Sequence, residues 1–257
     1  MFYLLIFILG LSVGSFLNVV ICRLETKETI VSGRSYCPKC KAVLKWYDLI
    51  PVLSFLLQRR RCRYCNMKIS WQYPMVEIST GVIFLLIFNF SAYSGPVLNW
   101  QFFNLVYYFI IVSFLIIIFV YDLKHYIIPD RIIYPAIIIA GIFNFQFLIF
   151  NQFSIFNFSI LSALGASSFF LSLVLVSKGK WMGLGDVKLA FLMGLILGWP
   201  NILLALFLSF FSGAVIGVGL IIFGKKGFKS QIPFGPFLAG STILVWITSF
   251  ASHLIYW

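Results

Sequence analysis

The chain has 257 residues, 61% of them hydrophobic and 10% charged, with a mean hydropathy of +1.03. Soluble domains run roughly 45–50% apolar and about 25% charged, so this composition excludes a soluble globule, a disordered tail and an acidic adaptor. A net charge of +12 invites a nucleic-acid reading, but the placement of the charges makes it a membrane-topology signal instead.

A hydrocarbon core about 30 Å thick takes about 20 apolar residues as helix. Runs of that length fall at 2–22, 74–93, 101–121, 132–150, 159–177, 202–223 and 236–256. An eighth run, Val187 to Gly198, has only 12 residues. It would reach about 18 Å as helix, and it ends at Trp199-Pro200-Asn201, where Pro and Asn favour a turn. Every Lys and Arg lies within 23–68, 124–131, 178–188 or 225–229, while the connections near 92–100, 151–158 and 199–201 and both chain ends carry none. Basic residues collect in cytoplasmic loops, and with the short run counted as a span, basic and uncharged loops alternate. The sequence therefore predicts an all-α integral membrane protein of about eight transmembrane helices, with both termini outside. The first run lacks the basic stretch that precedes a secretory signal and reads as a retained helix. No repeat of 20–50 residues is visible. The expected organisation is a transmembrane helix over 1–22, a cytoplasmic metal-binding subdomain over 23–73, and a membrane-embedded region of seven further helices over 74–257.

The segment 23–73 holds eleven Lys/Arg against Glu25, Glu28 and Asp48, a balance of +8. Anionic lipid attracts such a segment by roughly 1 kcal/mol per basic residue near the surface, so membrane lipid is an expected partner and nucleic acid is not. Within it stand Cys37-Pro38-Lys39-Cys40 and Cys62-Arg63-Tyr64-Cys65, 21 residues apart. That gap is one residue beyond the usual zinc-ribbon spacing. Two CxxC turns aim four thiolates at one point, which suits tetrahedral Zn2+; a reducing cytoplasm argues against disulfides. Four protein ligands close the coordination shell, so Cys37, Cys40, Cys62 and Cys65 are expected to hold a structural ion. Lys39, Lys41, Arg61 and Arg63 would offset the net −2 of a tetrathiolate zinc. Cys22 reads as a small apolar residue in a helix interface.

Seven acids in such a chain invite individual attention. Asp48, Glu25 and Glu28 read as solvated, Asp130 after Pro129 as a helix N-cap, and Glu77 as a carboxylate in a first helical turn. Asp122 closes the third span and Asp186 opens the sixth, both at one membrane boundary on the derived topology. Acids at membrane depth are costly and point to function. Two carboxylates that meet cannot both ionise and so share a proton; one then activates water while the other polarises a peptide carbonyl, which is aspartyl proteolysis. Gly183 and Gly185 would let a backbone approach Asp186. Lys124 and Lys188, two residues after each Asp, do not face it on a helix and read as inner-face anchors. Helix dipoles predict that Asp122, at a C-terminus, keeps the shared proton while Asp186, at an N-terminus, is ionised.

The ordered set of motifs resembles the bacterial prepilin peptidase, or type IV leader peptidase, family of GxGD-type membrane aspartyl proteases. The resemblance runs from Gly14-Ser15-Phe16-Leu17-Asn18 and Arg23-Leu24, through the CxxC pairs around Asp48-Leu49-Ile50-Pro51, to Tyr73-Pro74-Met75-Val76-Glu77 and Thr80-Gly81. It continues through Asp122 to Asp130, Gly183 to Leu189, and Pro233-Phe234-Gly235-Pro236-Phe237. It implies an eight-span protein of the bacterial inner membrane that removes a short basic leader from prepilins or pseudopilins. Asp122 and Asp186 would be catalytic, with Gly183, Gly185, Lys124 and Lys188 supporting them. It also implies methylation of the new N-terminus by S-adenosylmethionine, whose site no glycine-rich loop marks. The family commonly has Arg-Leu-Pro after the first span, where this chain has Arg23-Leu24-Glu25. Before the second CxxC it has Arg-Gly, where this chain has Arg59-Arg60-Arg61.

A basic leader is repelled by a +8 subdomain, so substrate recognition is expected to rest on local acids such as Glu77 and on helix packing. Two rival classes compete. An ion-coupled transporter would place its acids near the midplane between internal repeats. A membrane anchor with a metal-bound docking module gives no reason for Asp122 and Asp186 together.

Overall fold

The computed structural model describes residues 2–26, 28–29, 33–92, 98–149, 153–223 and 232–255. The basic segment 225–229 and the connections at 93–97 and 150–152 lie outside the described residues. Every apolar run of the sequence forms a helix. In chain order these are α1 (Phe2–Thr26), the short α2 (Leu53–Leu57), α3 (Gln72–Ala92), α4 (Leu98–His125) and α5 (Asp130–Ile149). Next come α6 (Phe153–Ser177), α7 (Leu184–Leu197), α8 (Asn201–Ile222) and α9 (Gly235–Ile255). Among the described residues there is no strand, only two isolated β-bridges. Five helical stretches are long and apolar enough to cross a membrane: α1, Gln72–Asn89, Phe102–His125, Phe158–Ser177 and α8.

The chain divides into two compact units, Met1–Phe109 and Ile110–Trp257, parting within α4. In the first, α1 lies against α3 along a stripe of small residues. A Cβ added at Gly10 would stand 2.6 Å from the Gly81 Cα, and one at Gly14 would stand 2.7 Å from the Glu77 Cα. Only glycine permits so close an approach, which replaces the missing hydrophobic drive between helices in lipid with van der Waals contact. At the foot of the pair, buried Asn18 donates to the Tyr73 carbonyl at 3.1 Å and accepts from Gln72 at 3.3 Å.

In the second unit α7 is the hub, touching α5, α6, α8 and α9. Leu189, Ala190, Leu192 and Met193 are fully buried, and Gly194 is seated on the Ala163 backbone of α6. Asn144 of α5 donates to the Leu195 carbonyl at 3.0 Å. A helix surrounded by protein is apolar all round, which explains the uninterrupted hydrophobicity of this short run. It has 14 residues, about 21 Å.

Candidate active site and metal centre

Asp122 sits three residues before the last residue of α4, and just beyond that end the Tyr126 amide returns to the Asp122 carbonyl at 2.9 Å and Tyr126 takes φ +58°. Its side chain is buried, and its carboxylate accepts the amide of Gly235, the first residue of α9. A Cβ at position 235 would stand 2.6 Å from the Asp122 Oδ2, so only glycine lets this helix start approach the carboxylate. Asp186 lies in the first turn of α7, half-buried, and reaches back to accept the Gly183 amide at 3.3 Å. The charge of Asp122 acts on Asp186. Two carboxylates 64 positions apart in sequence are thus within electrostatic range, each held by a glycine amide at a helix N-terminus.

That arrangement removes the dipole asymmetry expected from sequence. Asp122 is indeed at the end of its own helix, but the start of α9 faces it and supplies the favourable dipole end. Gly183 has no atom closer than 3.9 Å to an added Cβ, whereas Gly185 is packed on Ile128, whose Cβ would lie 3.1 Å away. Gly185 therefore brings α7 against the segment that follows Asp122, a role filled by the protein's own chain.

The remaining residues singled out from sequence have partners of their own. Lys188 turns to Asp130 at 2.6 Å and lies over the Tyr134 ring at 4.7 Å, fastening the start of α5 to the first turns of α7. Asp130 is thus more than an N-cap. Lys124 is exposed, and the exposed His125 ring lies 4.5 Å from Tyr121. Glu77, in the first unit, is 6% exposed and accepts the Val52 amide at 2.8 Å. It ties the segment before α2 to α3. The side chain of His253 lies outside the described residues.

The four cysteine sulfurs all lie within 4.8 Å of one another. Cys37 Sγ and Cys65 Sγ are 3.8 Å apart. Four sulfurs about 2.3 Å from one zinc lie about 3.8 Å apart at the edges of a tetrahedron, so the donor set fits a tetrahedral ion. Each CxxC forms the same knuckle. Cys37 N donates to Ala42 O and Lys41 N to Cys37 O; Cys62 N donates to Met67 O and Asn66 N to Cys62 O. Bridges Tyr36–Val43 and Arg61–Lys68 close the two, and Lys41 and Asn66 both take positive φ. The segment 35–44 thus recurs 25 positions later at 60–69, a local repeat that inspection of the sequence missed although the aligned cysteines and Leu44/Ile69 mark it.

Asp48 is the other correction. It is 8% exposed, not solvated, and accepts from Lys45 N at 3.2 Å, Gln58 Nε2 at 3.2 Å and Tyr64 OH at 3.2 Å, with Arg63 Nε at 3.4 Å. Two of those donors, Arg63 and Tyr64, belong to the second CxxC, so Asp48 fixes that knuckle in place from outside the sulfur cluster. Arg63 also lies over Tyr47 and Lys41 over Tyr36. Of the four cations expected to offset the metal, these two therefore have other partners as well.

The profile of the bacterial peptidase A24 N-terminal domain matches residues 8–90, and that of the Type IV leader peptidase family matches residues 109–218. A prepilin leader peptidase/N-methyltransferase of Myxococcus xanthus is 35% identical over 90% of this chain and 67% of its own length. Proteins of the same name from Bacillus subtilis and Legionella pneumophila are 31% and 33% identical. They cover 95% and 99% of this chain and 93% and 95% of their own lengths. No solved structure matches the chain.

Proposed function

The chain belongs to the type IV leader peptidase family, and from that premise we propose that it cleaves prepilin or pseudopilin precursors with Asp122 and Asp186 as the catalytic pair. The observation that carries the reading is the placement: one carboxylate near the end of α4 and one at the start of α7, each accepting a glycine amide at a helix N-terminus, with α7 packed by Gly185 on Ile128, six residues after Asp122. Like charges at short range force the pair to retain one proton. The ionised carboxylate takes a proton from water as that water attacks the scissile carbonyl carbon. The protonated one donates to the carbonyl oxygen as charge develops there. No observation favours ion transport.

On the proposed topology all eight long apolar helices span the bilayer, with the metal subdomain and both aspartates on the cytoplasmic side and the termini outside. Cys37, Cys40, Cys62 and Cys65 would hold Zn2+, which supplies folding energy to residues 35–69 and no chemistry. Glu77 would act through its Val52 bond by positioning the subdomain. The relatives' name also brings N-methylation and its donor S-adenosylmethionine to this chain. Among the described residues no glycine-rich loop joins a strand to a helix, so no residue is assigned to that cofactor. Expressing a prepilin with and without this protein, then reading the mature N-terminus by mass spectrometry, reports cleavage and methylation together. Prepilin that keeps its leader in the presence of the folded protein would overturn the peptidase reading.

Two further expectations concern geometry. Gly235→Ala should lower turnover by about 100-fold, because a displacement of about 1 Å costs that much. The thermal transition of the purified protein should stay within a few degrees of the parent's. The ion pair between Lys188 and Asp130 should behave as a positioning device. Asp130→Asn and Lys188→Met should each lower turnover about tenfold with little change in KM, and the charge-exchanged double variant should recover part of the loss.

A further inference from the structure

The short helix α2 presents an apolar face that stays exposed among the described residues. Leu53, Leu56 and Leu57 are 56%, 63% and 78% exposed, and their i, i+3, i+4 spacing puts them on one side of the helix. The opposite side is anchored: Phe55 is buried and its ring lies 5.2 Å from that of Trp71, the residue immediately before α3. The Val52 amide bonds to Glu77, five residues into α3. The start of α2 is therefore held about 7.5 Å up the axis of a helix that is long and apolar enough to cross a membrane. Met75 and Ile78 of α3 are exposed beside that level.

Three arginines follow after Gln58. The chain leaves α2 through a helix-ending motif in which Arg60 N donates to Phe55 O and Arg59 N to Leu56 O. Arg59 takes φ +48° and Arg60 φ +61°. The first of these positions is normally held by glycine, because a side chain there is strained. This chain keeps an arginine there, followed by two more, all exposed.

We propose that α2 is an interfacial helix. Leu53, Leu56 and Leu57 enter the leaflet on the subdomain's side, and Arg59, Arg60 and Arg61 engage its anionic phospholipid headgroups. An occupant of this surface must be apolar beneath and negative above. A second copy of the chain brings the same +8 segment and is repelled, and a basic leader is repelled likewise. An anionic leaflet meets both demands and lies where α3 enters it. The inference rests on the reading of α3 as a span and is independent of the catalytic assignment.

The test uses the full-length protein in nanodiscs of phosphatidylcholine containing one third phosphatidylglycerol, with a diazirine amino acid at position 57. Irradiation should give intact phospholipid adducts at that position, with phosphatidylglycerol enriched several-fold over its share of the disc. Arg59→Gly, which relieves the backbone, combined with Arg60→Gln and Arg61→Gln should abolish the enrichment while four-cysteine metal content is retained. If the triple variant loses its metal, Arg59→Gly alone should still halve the enrichment or better. Adducts to a second copy, or capture of water with no lipid, would overturn the proposal. Prepilin cleavage in the same discs, measured separately, keeps that failure distinct from a failure of the peptidase reading.

Discussion

Asp122→Asn or Asp186→Asn should abolish leader removal, with turnover falling by about 10,000-fold or more, as when a member of a catalytic unit is removed. Asparagine keeps the shape of aspartate and can still accept the Gly235 or Gly183 amide through its carbonyl oxygen, so helix packing is preserved. What it cannot do is ionise or exchange the shared proton. The double variant should be no worse than either single one, because one proton is shared and one mechanism is lost. Mass spectrometry of a co-expressed prepilin reads the result directly. Full processing by either variant would refute the assignment of that aspartate.

Loss of the metal should have the second large effect, confined to the first unit. Structural zinc supplies about 10–16 kcal/mol of apparent binding energy in small domains, and residues 35–69 contain no sheet or long helix to replace it. Cys62→Ser, or a strong chelator, should expose the amides of both knuckles to rapid hydrogen exchange, while the glycine-lined contact of α1 with α3 stays protected. The pH dependence follows from Cys65. The Met67 amide favours its thiolate, but burial and the Cys62, Cys40 and Cys37 thiols outweigh that and push it up to about 11. The folded, metal-free site thus prefers the thiol. That preference contributes stability below about pH 8.5, the ordinary thiol value, and the contribution fades as pH climbs toward about 11. Metal must displace those protons, so affinity should rise steeply with pH across the neutral range. Titrations at three pH values would show it.

The parts of this molecule that were legible in sequence are those encoded locally. Apolar length marked each long helix, and charge alternation singled out even Val187–Gly198, because burial on all sides left α7 without a polar face. The CxxC pairs announced their own geometry, and seven acids in 257 residues made Asp122 and Asp186 conspicuous. What escaped depends on partners far along the chain. Asp48 looked solvated because its donors Gln58, Arg63 and Tyr64 arrive only when the subdomain folds. Lys188 looked like an anchor because Asp130 stands 58 residues earlier. Gly235 carried no chemical signal of its own; its importance lies in the side chain it lacks.

The contact of Gly235 with Asp122 also bears on biogenesis. The donor comes 113 positions after the carboxylate it serves, on a helix that is made after the other eight described. A nascent chain whose α4 and α7 are already in place still has an Asp122 without that amide. Proteolytic competence should therefore switch on only after α9 docks, which spares neighbouring membrane proteins from a half-built protease. Chains arrested before residue 235 should be inert, and supplying α9 as a separate polypeptide should restore cleavage.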